Sequence, residues 1–292
     1  MLMEEVGRAT RRINLLLWHP IRFYILMLSL LFVPFGNSYA QVDPSQKPEG
    51  NKGKFYCYWG WNRSWYTKST ISFIGGNYDF TLKRVVANDR QTPFDFKTYF
   101  NPVTLTIPQY NVRLGYFIKD KYSVSIGTDH MKYVVKANQV VKISGHIKGS
   151  GTKYDGSYAD NDIAITEDFL KLEHTDGLNY ANIDYRRHDQ ISTYKKIKFN
   201  LNEGVGLGIM LPRTDATLLS KVRHDAFHLA GWGVSGVVAA NIEFWRVFFI
   251  QSELKAGYIN MPDIRTTSSD ADKASQQFFF TQFNVLFGVH LD

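Results

Sequence analysis

Three things are scarce in this 292-residue sequence. Cysteine occurs once, at Cys57. That excludes an intramolecular disulfide and a thiolate metal cluster, and the residue lies too far along the chain to be a lipidated N-terminal cysteine. A small apolar side chain on a strand is the role left to it. Long apolar runs are also scarce. Past residue 40 none approaches the roughly 20 residues that a spanning helix needs, and the mean hydropathy of −0.25 excludes a multi-helix membrane protein. Excess charge of one sign is the third scarcity. Lys and Arg number 34 against 27 Asp and Glu, a formal +7, and the basic residues are scattered, which points away from nucleic acid as a partner. No cofactor is implied, nucleotide or redox, and no metal-ligand spacing is present.

Aromatic residues are what the chain has in excess, 15% of it, led by 17 Tyr and 21 Phe. Such residues suit strands, and in membrane proteins they also suit the water interface, where an apolar ring carries a polar tip. The first forty residues differ from the rest. Arg8, Arg11, Arg12 and Arg22 precede an uncharged run from Phe23 to Gly36, and Ser38-Tyr39-Ala40 supplies small residues ahead of a cut. Residues 1–40 are therefore expected to be a secretory signal peptide, with the mature chain starting at Gln41. Removing its four basic and two acidic residues leaves 7 − 2 = +5. Residues 41–53 (QVDPSQKPEGNKG) are polar and rich in Pro and Gly and are expected to form a flexible leader.

From residue 54 to 292 the hydrophobic period is two almost everywhere. Tyr110, Val112, Leu114, Tyr116 and Ile118 share one face, opposite Gln109, Asn111, Arg113 and Gly115. After a turn at Lys119-Asp120-Lys121, Tyr122, Val124 and Ile126 oppose Ser123, Ser125, Gly127 and Asp129. Similar splits run through Ala230–Phe244, Phe248–Tyr258 and the Phe-rich last strand. The segments at 55–67, 172–189 and 197–211 bring the count to about eight strands of outer-membrane length. Arg63 and Glu203 fall on apolar faces, where a bulge or an interface position is expected. The connections alternate in length. Those near 119–121, 190–196 and 245–247 are short, whereas 68–106, 136–168, 212–227 and 262–276 are long.

This pattern resembles the small eight-stranded outer-membrane β-barrels of Gram-negative bacteria. The resemblance implies an all-β, transmembrane, antiparallel up-and-down barrel with long extracellular loops and short periplasmic turns, preceded by a leader in the periplasm. It also implies localisation in the outer membrane. Outer-membrane lipid and lipopolysaccharide are the implied surroundings, and other outer-membrane proteins the implied partners. Such barrels often end in an aromatic residue; here the chain ends Val289-His290-Leu291-Asp292, and Phe287 is the nearest candidate. An exported lipocalin-like barrel would turn the apolar face inward instead. The face bearing Gly127, Gly204, Gly206, Gly208, Gly231, Gly233 and Gly257 is better suited to a narrow lumen than to an exterior. Arg113, Asp129, Asn182, Asp184, Arg186, Glu243, Glu253 and Lys255 are expected to fill that lumen as a polar network.

The stretch Leu172–Asp189, LEHTDGLNYANIDYRRHD, is the richest in potential chemistry. Its even positions, His174, Asp176, Tyr180, Asn182, Asp184 and Arg186, are expected on the lumen face, with His174 and Asp176 near the outer rim. A His and a carboxylate there could act as a general base on a lipid ester. His174-Thr175-Asp176-Gly177 is similar, through its histidine alone, to the His-x-Ser-Asn motif of lipid A 3-O-deacylases. The serine nucleophile is replaced by Asp176, and Thr175 is expected to face away, so acyl transfer lacks its hydroxyl. His174, Asp176 and Asp184 are thus the candidate catalytic set for a deacylase-like hydrolase. The leading expectation remains a noncatalytic barrel with a structural or accessory role in the envelope. Asp129-His130 are neighbours on a strand and are expected to face opposite ways. His224 and His228 are expected at a solvated junction, and Gly204-Val205-Gly206-Leu207-Gly208 follows the strand period and lacks the setting of a phosphate loop.

Overall fold

The computed structural model describes residues 50–101, 104 and 107–291. The expected signal peptide and residues 41–49 of the leader lie outside the described residues. Asn51 to Lys54 continue from it as a short turn: Gly53 N donates to Phe117 O at 2.9 Å, and Lys52 N to Asp120 Oδ1 at 3.1 Å.

The described chain is all-β apart from one short helix. Its strands are β1 (Phe55–Tyr66), β2 (Ser69–Gly75), β3 (Tyr78–Val85), β4 (Ala87–Asn88), β5 (Tyr110–Lys119), β6 (Tyr122–Val135), β7 (Val140–Ile147) and β8 (Gly156–Ala164), with helix α1 (Phe96–Phe100) between β4 and β5. Then follow β9 (Leu170–Tyr194), β10 (Ile197–Met210), β11 (Arg213–Leu218), β12 (His224–Phe227), β13 (Gly231–Phe244), β14 (Phe248–Arg265) and β15 (Lys273–Leu291). All belong to one antiparallel sheet, and the pairing β1-β5-β6-β9-β10-β13-β14-β15 returns to its start because β15 also pairs with β1. The eight long strands therefore form a closed circuit, and no main-chain edge is left along it.

The register around the circuit is offset. Starting at Cys57, successive partners are Leu114, Ile126, Ile183, Leu207, Val234, Tyr258 and Phe279. Phe280 pairs with Tyr66, so Phe279 meets residue 67, and the row returns 67 − 57 = 10 residues from where it began. That stagger goes with strands steeply inclined to the ring axis. This same row is the outward face. Ile126, Ile183 and Leu207 are each more than half exposed.

The long connections depart from expectation. Instead of loops, residues 68–106, 136–168 and 212–227 hold seven further strands. The sheet continues from the upper part of β15 through β2, β3, β7 and β8, while β11 pairs with β9 and β12. The fourth expected loop, 262–276, is mostly strand, because β14 and β15 pair as far as Arg265 and Lys273. The physical reason is that these segments have an apolar face of their own. Ile71, Phe73, Phe80, Leu82 and Ile143 alternate along β2, β3 and β7 and are fully buried. Arg63 and Glu203 are exposed and sit in unbroken register, so neither marks a bulge.

Candidate functional site

The inside of the ring is the most heavily charged buried region among the described residues. Strand alternation puts Tyr58 of β1, Arg113 of β5, Asp129 of β6, Asn182, Asp184 and Arg186 of β9, and Glu253 and Lys255 of β14 all inward, each 4% exposed or less. Arg186 is the hub. Its Nη1 donates to Glu253 Oε2 at 2.6 Å, its Nε and Nη2 to Asp184 Oδ2 at 3.1 and 2.7 Å, and its Nη2 also to Tyr58 Oη at 3.1 Å. Arg113 Nη1 lies 3.1 Å from the same Asp184 oxygen, and Arg113 Nη2 donates to Asn182 Oδ1. Lys255 Nζ donates to Asp129 Oδ2 at 2.6 Å. Asn284 and Gln251 complete the shell of Glu253 at 2.9 and 3.0 Å.

Three cations thus face three carboxylates, with no net charge. The balance matters because burying an unmatched charge is costly, whereas a matched and hydrogen-bonded set is tolerated. The glycines make room for it. A Cβ at Gly206 would lie 2.3 Å from Asp184 Oδ1 and 2.7 Å from Ser235 Oγ. Glu243 is buried but stands apart from this cluster, paired with Lys198 at 3.1 Å and His290 at 3.5 Å.

Above this layer the interior changes character along the same strands. On β9, Arg186, Asp184 and Asn182 give way to Tyr180 and Leu178; on β6, Asp129 gives way to Met131 and Tyr133; on β14, Lys255 gives way to Ile259 and Met261. Phe278 and Phe280 do the same above Gln282 on β15. These side chains join the core under β2, β3 and β7, where Phe73 stacks on Phe80 at 5.0 Å and Tyr133 on Phe278 at 4.9 Å.

His174 sits in that apolar upper core, fully buried, and not at an open rim. Burial holds its imidazole far below the ordinary value of 6.5, at about 3. A hydroxyl does lie within reach, from a segment whose composition predicts a loop but which forms β11: Thr214 Oγ1 is 3.0 Å from His174 Nδ1. Thr214 is itself 1% exposed, and His174 Nε2 has no hydrogen-bond partner among the described residues. Among the described residues no carboxylate is hydrogen-bonded to the ring, which an activated nucleophile of the triad kind would require.

Asp176 corrects an expectation. It points out to solvent and accepts from Arg213 Nη1 at 2.7 Å. The strand bulges here: four steps from His174 to Leu178 on β9 pair with only two, from Tyr133 to Met131, on β6, and Gly177 takes a φ of +124°. The proposed catalytic trio is therefore dispersed, with His174 in the upper core, Asp176 at the surface and Asp184 in the charged layer. The side chain of Thr175 lies outside what is described. His130 stacks on Tyr110 at 4.9 Å and pairs with Asn179, on the opposite face from Asp129. His224 and His228 are partly exposed, the latter 3.1 Å from Asp263. A second histidine and hydroxyl pair, His188 Nε2 and Ser123 Oγ at 2.8 Å, lies inside the ring near the short turns beneath Tyr56. Period-two reading of β9 puts His188 on the same face as Arg186 and could have found it.

No family model matches the chain, and no curated protein matches it. Among solved structures, it is similar to the outer membrane protein OprG from Pseudomonas aeruginosa, at 11% identity over 83% of this chain and 97% of that one, with a TM-score of 0.37. It is also similar to the outer membrane protein AlkL, at 10% identity over 86% and 95% with a TM-score of 0.34. The N-terminal β-barrel domain of Pseudomonas aeruginosa OprF gives 8% identity over 82% and 99%, with a TM-score of 0.26. The solved structures it resembles are small outer-membrane β-barrel proteins. The architecture of this chain rests on its own strand pairing and burial.

Proposed function

We propose that this chain is an eight-stranded transmembrane barrel of the outer membrane whose role is structural or accessory, not catalytic. The observation that carries the reading is the pairing of an outward apolar belt with a sealed, charge-neutral interior. Ile126, Ile183, Val205, Leu207 and Leu254 face out, each more than half exposed, while Arg113, Arg186 and Lys255 are locked to carboxylates within. In water the belt would be an exposed apolar surface far larger than monomers tolerate; in lipid it is the expected exterior. A lipocalin-like chain would show the reverse.

Side chains fill an eight-stranded ring, so no wide aqueous pore is expected. The upper sheet, standing outside the membrane, is the part suited to meet other envelope components, including lipopolysaccharide and neighbouring outer-membrane proteins. Planar-bilayer recording of the refolded chain tests the plug: conductance of the size seen with open porins would contradict it. The alternative, a lipid A deacylase acting through His174, retains the contact with Thr214. Mass spectrometry of lipid A from cells with and without the protein separates the two readings. An unchanged acylation pattern is expected, and a lost acyl chain would favour the hydrolase.

A further inference from the structure

The connection between β4 and β5 holds an aromatic cluster that neither the ring nor the upper core absorbs. Phe94, Phe96 and Phe100 are 67%, 70% and 53% exposed, yet their place is built with care. Asp95 caps α1, accepting from Thr98 N at 3.0 Å and Thr98 Oγ1 at 2.9 Å, and Tyr99, buried, anchors the turn by donating to Thr92 O at 2.6 Å. The rings stack on one another, Phe96 on Phe100 at 5.1 Å and Phe94 against Phe96 at 5.5 Å. They also continue onto the outward wall. Phe100 and Tyr99 pack on Trp61 at 5.2 and 5.5 Å, and Trp61 packs on Trp59 at 4.7 Å and on Phe287 at 5.8 Å. Phe287 pairs across to Ile250, within the outward belt.

We propose that residues 94–100 form a lipid-inserting clamp, which extends the barrel's contact with the outer leaflet beyond its own wall. This rests on the transmembrane reading of the belt. Three solvent-facing phenyl rings joined to such a belt have one fitting partner, the acyl chains and phosphate-bearing head groups of a lipid surface. The flanking charge agrees. Arg63 is exposed with its guanidinium over Trp65, Lys97 is exposed on α1, and Lys132 Nζ lies beneath, bonded to Ile107 O at 3.1 Å. Cations beside aromatic rings match an anionic head-group layer over an apolar one. Asp95, the one nearby acid on the segment, is engaged in capping.

The test uses depth-selective fluorescence quenching. In a Cys57→Ser background, Phe96→Cys, Val205→Cys and Val222→Cys are labelled separately with bimane. Each full chain is refolded into phosphatidylcholine vesicles containing phosphatidylglycerol. Val205 reports the belt and Val222, 88% exposed on the β11–β12 connection, reports water. The label at Phe96 is expected to be quenched by lipid-borne doxyl groups and shielded from iodide, as at Val205. Quenching by iodide as at Val222, with Val205 still seeing doxyl, would overturn the clamp alone. Shielding from both quenchers would also overturn it, since protein would then cover the rings. If Val205 itself is open to iodide, the belt reading fails and takes the clamp with it.

Discussion

The lower and upper halves of the ring are made from the same strands but sorted in opposite ways. In the lower half the inside holds Arg113, Arg186, Lys255 and their carboxylates, and the outside holds Ile126, Ile183 and Leu254. In the upper half Met131, Tyr133, Leu178 and Ile259 are inside, and the outer face turns to His130, Lys132, Asn260 and Pro262. Apart from the bulges on β9 and β14 the backbone alternation runs through both halves, and on the transmembrane reading it is the solvent that changes. A strand that leaves lipid for water keeps its pleat and exchanges which face carries the apolar side chains. The two interiors therefore differ in kind: a charge-matched, hydrogen-bonded set below, with Tyr56, Phe117 and Phe249 packed beneath it, and apolar burial above.

Substitutions that damage one interior and spare the other would sharpen the contrast. Arg186→Met should be the most damaging, because it strands Asp184 and Glu253 without their shared cation. A loss of about 3–5 kcal/mol is expected, read by urea unfolding in vesicles. Phe80→Ala opens a cavity in the upper core and should cost roughly 3 kcal/mol there. Limited proteolysis should then cut β2, β3, β7 and β8 while the ring stays folded, read as a heat-dependent shift in gel mobility; loss of that shift would mean the halves are not separate. Gly206→Val drives methyl groups into Asp184 and Ser235, with an expected penalty of roughly 1–3 kcal/mol confined to the lower half. His174→Gln should do least at neutral pH. The buried imidazole is neutral down to about pH 3, whereas in the unfolded chain it gains a proton near 6.5. Its contribution is therefore intact above 6.5 and drains away as pH falls toward 3. The variant should flatten the pH dependence of upper-half stability across that window, and an unchanged slope would place the titration elsewhere.

Much of the lower half was legible in the sequence because one physical rule, alternation between an apolar outer face and a largely polar inner one, governs most residues there. Arg113, Asp129, Asn182, Asp184, Arg186, Glu253 and Lys255 could be assigned by counting in twos, and their glycine neighbours by size. Tyr58 was not singled out, since a tyrosine reads as apolar until its hydroxyl meets Arg186. The upper half was harder. Strands β2, β3, β7 and β8 are short and broken by turns, so their alternation falls below what a scan for membrane-length segments detects. Counting in twos also failed at Asp176, because the bulge at Gly177 adds residues that no period reveals. The hydroxyl beside His174 came from β11, 40 positions away, a contact that only the fold can make.

The central claim is that the outward face passes from lipid to water along a single strand. Single cysteines at Leu254 and Pro262 of β14, eight positions apart on the same face, test it in vesicles with a membrane-impermeant maleimide. Reaction at 262 with protection at 254, reversed on solubilisation by denaturant, is the predicted result. Equal reactivity at both positions in the refolded protein would contradict it.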